Sequence, residues 1–187
     1  SQAVYLYNRF NLSYRDVSDL LLEPGIAVSH QTVKKWNVRF GAMFASEIKN
    51  RRRKPTRRWH IDETHCKIAG KRHYIWRAVD SDGTVLDIFV PDKSNKKAAK
   101  EFFSKLYDQY DEPSRITTDR LRLYRSVVPE TFSNTKHIKG KWLNNRVENS
   151  HIIIREREKK FKRFKSREQA QTFLDRFEFI RSYLKPK

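Results

Sequence analysis

The spacing of apolar positions changes period along this chain. Up to about residue 45 it is helical. Ala3 to Phe10 is a short apolar segment. Ser13-Tyr14-Arg15-Asp16 predicts a helix start, with Ser13 as the cap and an acidic residue three positions on. Tyr14, Val17, Leu20 and Leu21 then share a face, and Glu23-Pro24-Gly25 stops the helix. A third helix opens at Ser29. It turns Val33, Trp36 and Phe40 inward and shows His30, Gln31, Lys34, Lys35 and Arg39 on its other face. From Trp59 the period shortens to that of strands. Segments 59–68, 73–80 and 85–90 alternate, with Lys71-Arg72 and Asp82-Gly83 as turns. Residues 95–110 return to helical spacing through Ala98, Ala99, Phe102, Phe103 and Leu106. A short strand, 115–118, runs into Asp119. Leu121 to Val128 predicts a short helix, 136–138 a brief strand and Asn145 onward a long helix. A last helix, 167–183, carries Ala170, Phe173, Leu174, Phe177 and Ile180.

Helices, then three strands, a helix, a fourth strand and more helices make an α/β order, a mixed sheet flanked by helices. The expected division is a helix-turn-helix region over 1–48, a basic linker over 49–58 and a second domain over 59–187. Two short helices around a Gly-containing turn, the second with a basic polar face, have the form of a DNA-reading helix-turn-helix. The plainer reading is a helical hairpin with a solvated face. If the face reads DNA, His30, Gln31, Lys34 and Lys35 are its contacts, the lysines to phosphate rather than to bases.

Charge favours a polyanion. The 187 residues hold 41 Lys and Arg against 22 Asp and Glu, a formal net charge of +19. That excess selects nucleic acid as the first partner and an anionic membrane surface as a weaker one. Residues 49–58 alone hold seven basic side chains, a run suited to tracking phosphates. No apolar stretch has the length of a membrane span. The single cysteine, Cys66, excludes an internal disulfide and a multi-cysteine zinc site and points to a reducing cytoplasm, on the nucleoid of a bacterial cell. The only methionine is Met43, so Ser1 is not an unprocessed start and a fragment is expected.

Asp is depleted in strands, so Asp62 within Trp59-His60-Ile61-Asp62-Glu63-Thr64 asks for a positive partner such as a metal ion. Asp119 closes the fourth strand, and Glu148 lies in the first turn of a predicted helix. If the first and fourth strands are neighbours, the two aspartates meet. With Glu148 packed across that edge, three carboxylates would hold two divalent cations. Mg²⁺ suits such a sparse oxygen set, and two ions about 3.5–4 Å apart serve phosphodiester chemistry. Taken singly, each reads more simply, Asp62 as a surface residue near a strand end, Asp119 as a turn or cap residue, and Glu148 as part of a capping arrangement with Asn145; the spacing pattern and its surroundings change that balance.

The combination resembles a bacterial insertion-sequence transposase of the DDE class, of the IS6 type. The residues that carry the resemblance are Trp59 to Thr64, Gly70, Tyr74 to Asp80, Gly83, Leu86-Asp87 and Lys97-Ala98-Ala99 with Phe102-Phe103. Thr118-Asp119 with Tyr124, and Leu143 to His151, complete it. Similarity runs in order from about residue 3 to 181. It implies a ribonuclease-H-like fold with Asp62, Asp119 and Glu148 as catalytic metal ligands, for Mg²⁺ with Mn²⁺ as substitute. It implies cleavage and strand transfer at the element's terminal inverted repeats, with water and then the freed 3′-hydroxyl as nucleophiles. It further implies a homodimer or larger assembly on element ends and target DNA, without a membrane. Arg155 occupies the family's basic position seven residues after the Glu, about two helical turns on, and is a further expected DNA contact. Two departures stand out. Arg120 replaces the usual Lys, and Glu148 follows Asp119 by 29 positions, a few fewer than in the family. The match also stops short of the usual C-terminal segment. The competing reading is therefore a truncated or catalytically inactive remnant that only binds DNA. A host nuclease or integrase on the same fold would not need the end-reading hairpin.

Overall fold

In a computed structural model, residues 2–51, 53–119, 122–140, 154–159 and 164–183 are described. The chain divides into two compact units, Ser1–Arg53 with Thr172–Lys187, and Lys54–Gln171. The first holds helices α1 (Gln2–Arg9), α2 (Tyr14–Leu22) and α3 (His30–Arg51). The second holds strands β1 (Arg58–Ile68), β2 (Lys71–Asp80), β3 (Val85–Phe89), β4 (Arg115–Thr118) and β5 (Lys136–Lys139). Helices α4 (Lys96–Tyr110) and α5 (Arg122–Thr131) interleave with them, and residues 154–159 form a further helical stretch, α6. Helix α7 (Arg167–Tyr183) crosses the division between Gln171 and Thr172, whereas the composition change alone carries one domain to residue 187.

In the first unit the expected cap forms. Asp16 N–H donates to Ser13 Oγ at 3.1 Å, and Ser13 N–H donates to Asp16 Oδ2 at 2.7 Å. Val17 and Leu21 are buried, while Leu20 faces outward. On α3 the buried line is Val33, Asn37 and Gly41, with Trp36 and Phe40 only half-buried. The displaced member is polar. Asn8 donates to Asn37 Oδ1 at 2.9 Å, and Asn37 donates to the Tyr14 hydroxyl at 3.3 Å. Tyr14 in turn stacks on Tyr7 with ring centroids 4.3 Å apart. A satisfied amide pair thus takes a place that apolar periodicity reserves for aromatics. α3 also continues through Arg51, so the basic run assigned to a linker begins inside a helix. Lys and Arg form helices well and suit a helix C-terminus.

In the second unit the sheet order is β3-β2-β1-β4-β5. β1 and β2 form a long antiparallel hairpin from Trp59↔Asp80 to Ile68↔Lys71. Its turn is Ala69-Gly70, both at positive φ (47° and 81°), rather than Lys71-Arg72. Two-residue hairpin turns favour such a pair of positive φ values, and Ala69 is held there by its N–H to Phe164 O at 2.9 Å. β4 runs parallel to β1, and β5 parallel to β4. Trp59, Ile61, Trp76, Phe102, Phe103, Ile116, Tyr124 and Phe132 share one core with α4 and α5. Along β1 the buried face changes midway. Trp59 and Ile61 are buried on one side, Thr64, Cys66 and Ile68 on the other, and the half-buried pair Asp62-Glu63 lies between them. Toward the far end, Lys67 N–H donates to Glu158 Oε1 at 2.7 Å, and Ile68 bridges to Phe164.

Candidate active site

The parallel β1/β4 ladder ends at Ile61↔Thr118. Each strand's next residue is an aspartate, so the register brings Asp62 and Asp119 side by side. Successive side chains alternate faces, so both carboxylates leave the sheet on the side opposite Ile61. Both are half-buried. Asp62 Oδ1 accepts the N–H of Glu63 at 2.8 Å, which fixes the carboxylate relative to its own strand.

Glu63 points to the other face. Its Oε2 accepts Trp76 Nε1–H at 2.6 Å and Ser94 Oγ–H at 3.0 Å. Tyr124, fully buried in the first turns of α5, lies within the electrostatic reach of Glu63, Asp119 and Asp62. Burial first, and these three negative charges next, push its phenol well above the ordinary value of 10. On the neighbouring strand His137 Nε2 lies 2.8 Å from Thr118 Oγ1, and Thr118 Oγ1 donates to Asp119 O at 2.9 Å. With the threonine proton committed to that carbonyl, the imidazole donates through Nε2–H. Burial, and then the charge of Lys139, lower the His137 pKa to about 4, so the ring is neutral at physiological pH.

The remaining sequence-derived residues fall as follows. Glu148 lies outside the described residues, and among those described no three His, Cys, Asp or Glu side chains gather as a metal site. Arg155 is exposed on α6; burial first, then the charges of Arg72 and Arg155, lower the pKa of His65, three residues beyond Asp62 on β1. At strand rise that is roughly 10 Å from Asp62. In the first unit Gln31, Lys34 and Lys35 are exposed along α3. His30 is half-buried, its Nε2 3.3 Å from Gln31 Nε2. Ser29 Oγ accepts Thr32 N–H at 3.2 Å at the helix start. Reading the sequence alone misses Glu63, Tyr124 and His137 as neighbours of the aspartates. Glu63 and Tyr124 enter the sequence reading only as members of the family resemblance, with no place beside the aspartates, and His137 carries no spacing signal.

The donor set fits a hard divalent cation. Among the described residues it consists of the half-buried carboxylates of Asp62 and Asp119, brought together by backbone register rather than by flexible loops. A family model described as a DDE domain, of the IS240 transposase type, matches residues 56–187. The transposase for insertion sequence-like element IS431mec of Staphylococcus aureus is 33% identical over 164 residues, 85% of this chain and 73% of that protein. The transposase for IS257 in transposon Tn4003, also of Staphylococcus aureus, is 32% identical over the same shares. In structure, the catalytic core domain of BIV integrase superposes with a TM-score of 0.52 at 16% identity, covering 71% of this chain and 86% of that one, a likeness of fold. The chain belongs to the IS6-type DDE transposases, polynucleotidyl transferases with a ribonuclease-H-like core.

Proposed function

We propose that this chain binds the terminal inverted repeats of an insertion sequence and carries out divalent-metal-dependent strand cleavage and strand transfer. Asp62, Asp119 and Glu148 are the ligands in this reading. The observation that carries it is the parallel β1/β4 register that sets Asp62 beside Asp119. These three carboxylates would hold two Mg²⁺ ions, or Mn²⁺ in their place, whose positive charge would activate an attacking oxygen and stabilise a leaving one. The protein's part is positional. Glu63 N–H fixes one oxygen of Asp62, and the β4 backbone, tied through Thr118 to His137, fixes Asp119. Arg155 contacts DNA phosphate beside the site. Lys34 and Lys35 neutralise phosphates along α3, while His30 and Gln31 stand at its N-terminal end, where recognition helices meet bases. The partners are element-end and target DNA, engaged by a homodimer or larger assembly in the bacterial cytoplasm, on the nucleoid. Among the described residues no helix is long and apolar enough to cross a membrane. In this reading residues 1–48 bind DNA, 49–58 track phosphate and 59–187 cut and join.

The test is cleavage and joining of a labelled DNA bearing the element's terminal repeat, with Mg²⁺ and with Mn²⁺, beside Asp119→Asn. Metal-dependent product that disappears in the variant supports the assignment. Specific binding without product under either metal identifies the competing reading, an inactive remnant. The 29-residue interval between Asp119 and Glu148 is what keeps that reading in play.

A further inference from the structure

β1 and β2 run on past both of their neighbours in the sheet. The ladder with β4 ends at Ile61↔Thr118, and the ladder with β3 stops at Trp76↔Phe89. From Thr64 to Ile75 the two strands pair only with each other. The two faces of this ribbon differ. Thr64, Cys66, Ile68 and Ile75 are buried on one. Directly opposed residues of an antiparallel pair share a face, so His65 with Tyr74, and Lys67 with Arg72, make up the other. Lys67 and Arg72 are exposed, and His65 and Tyr74 half-buried. The Arg72 guanidinium lies over the Tyr74 ring, 5.7 Å from its centroid, and Arg72 Nη2 is 3.4 Å from His65 Nδ1. A guanidinium has only donors, so the imidazole accepts at Nδ1 and keeps Nε2–H as a donor. Burial, then the charges of Arg72 and Arg155, hold that ring neutral at physiological pH. Between Thr64 and Ile75 the chain has three Lys or Arg, two His and no acidic residue. The two carboxylates whose charge reaches His65 are already engaged. Glu63 Oε2 accepts from Trp76 and Ser94, and Glu158 Oε1 accepts Lys67 N–H. Cations gathered with so little counter-charge repel one another, and a bound polyanion offsets that repulsion.

We propose that the open face of the β1–β2 hairpin is a docking surface for duplex DNA that grips the sugar–phosphate backbone without regard to sequence. Lys67 and Arg72 supply the charge, His65 a further donor, and Tyr74 the ring that orients Arg72. The charged and imidazole groups offer donors only, and the face holds no Asn or Gln to pair with an adenine edge. Such a surface matches phosphate oxygens, which carry no sequence information. The proposal rests on the reading that the chain acts on DNA and differs from it in place. The α3 contacts lie in the first unit, whereas the hairpin belongs to the unit that holds Asp62 and Asp119. His65 and Asp62 leave β1 on opposite faces, so this surface is separate from the carboxylate pair. The second unit thereby has its own hold on DNA, independent of the recognition helix.

The experiment is fluorescence anisotropy of a short labelled duplex of random sequence, titrated with the full chain without metal across a salt series. Lys67→Ala with Arg72→Ala is compared with wild type and with two control pairs. The first control is Arg115→Ala with Lys136→Ala, exposed register partners level with Arg58 at the other end of the sheet, roughly 30 Å from Lys67 at strand rise. The second, Lys67→Arg with Arg72→Lys, conserves charge. The expected result is a slope of log K against log salt reduced by about 1.8 in the hairpin alanine pair, for two phosphate contacts, and a wild-type slope in both controls. A wild-type slope in the hairpin alanine pair overturns the proposal and leaves the DNA reading standing, provided wild type binds. Equal reductions in the two alanine pairs assign the effect to net charge and overturn it. The same reduction in the charge-conserving pair assigns the effect to the fold of the hairpin and also overturns it. Wild type that fails to bind duplex DNA overturns the DNA reading and the proposal with it.

Discussion

Two acidic regions of this sheet, three register positions apart on the β1/β2 hairpin, use aspartate in contrasting ways. Asp80, at the end of β2, is buried and saturated by backbone. Its Oδ2 accepts Thr56 N–H at 3.0 Å, and its Oδ1 accepts Asp82 and Thr84 N–H at 3.0 and 2.8 Å. It closes the Asp82-Gly83 turn, where Gly83 adopts φ 80°, and ties the entry to β1 onto the sheet. Asp62 and Asp119 are only half-buried and sit beside each other, an arrangement that puts two negative charges close together. Folding gains from the first arrangement. A carboxylate wrapped in N–H groups is architecture. In the proposed reading, a pair of carboxylates held side by side on the interior strands β1 and β4 is a place for a cation.

The contrast can be broken most decisively at Asp119. Asp119→Asn is expected to reduce repeat-end cleavage by more than about 100-fold, beyond the effect of residues that merely support ligands, with end binding and melting temperature nearly unchanged. Equal loss of cleavage and binding in paired cleavage and gel-shift assays would count against it as a metal ligand. Asp80→Ala should do the reverse. Three N–H groups lose a charged acceptor, a loss of about 3 kcal/mol, seen as a drop of roughly 6–12 °C in melting temperature. Mn²⁺ affinity of the folded fraction should be retained. Loss of Mn²⁺ binding with little change in melting would erase the distinction between the two regions.

Smaller effects sharpen it. Changing both Lys34 and Lys35 to Ala should weaken DNA binding and reduce the slope of log K against log salt by about 1.8 for two phosphate contacts, with Mn²⁺ affinity unaltered. An unchanged slope would remove α3 as the phosphate-contacting face. The smallest effect is expected at His137. Its folded pKa of about 4 lies below the ordinary 6.5. Above pH 6.5 the ring is neutral in both states and contributes no pH dependence. As pH falls from 6.5 toward 4, the unfolded chain takes up a proton that the folded chain refuses, so stability declines across that window and levels off below it. The urea midpoint should therefore fall between pH 7 and pH 5, and fall less in His137→Gln. Parallel declines in the two proteins would show that His137 is not the titrating group.

The strands and the aspartates were legible because β-period alternation and the strand-terminal position of Asp119 are local signals. That β1 neighbours β4 was only a condition of the sequence reading, and the ladder Arg58↔Arg115 to Ile61↔Thr118 meets it. Where polar residues replace apolar ones, pattern reading faltered. Asn37 is buried because Asn8 and Tyr14 complete its hydrogen bonds across a long sequence separation, which no local window contains. The run Lys49 to Arg51 reads as linker by charge yet continues a helix, because basic residues are good helix formers. The first hairpin turn was misplaced by two residues, since Ala69 at φ 47° runs against its own preference and is held by Phe164, far along the chain. Tyr124 is legible as a core aromatic. Its proximity to three carboxylates arises only from tertiary structure.

The β1/β4 ladder has a consequence for how the protein comes into being. β1 can pair with β2 through a two-residue turn, but its partner on the other side arrives only when Ile116 reaches Trp59. Closing so long a stretch of chain is entropically costly and comes late relative to hairpin formation. Until it happens Asp62 has no Asp119 beside it. A nascent or partly unfolded chain therefore carries its basic surface before it carries two adjacent carboxylates, and in the proposed reading the metal site is withheld until the sheet has been completed.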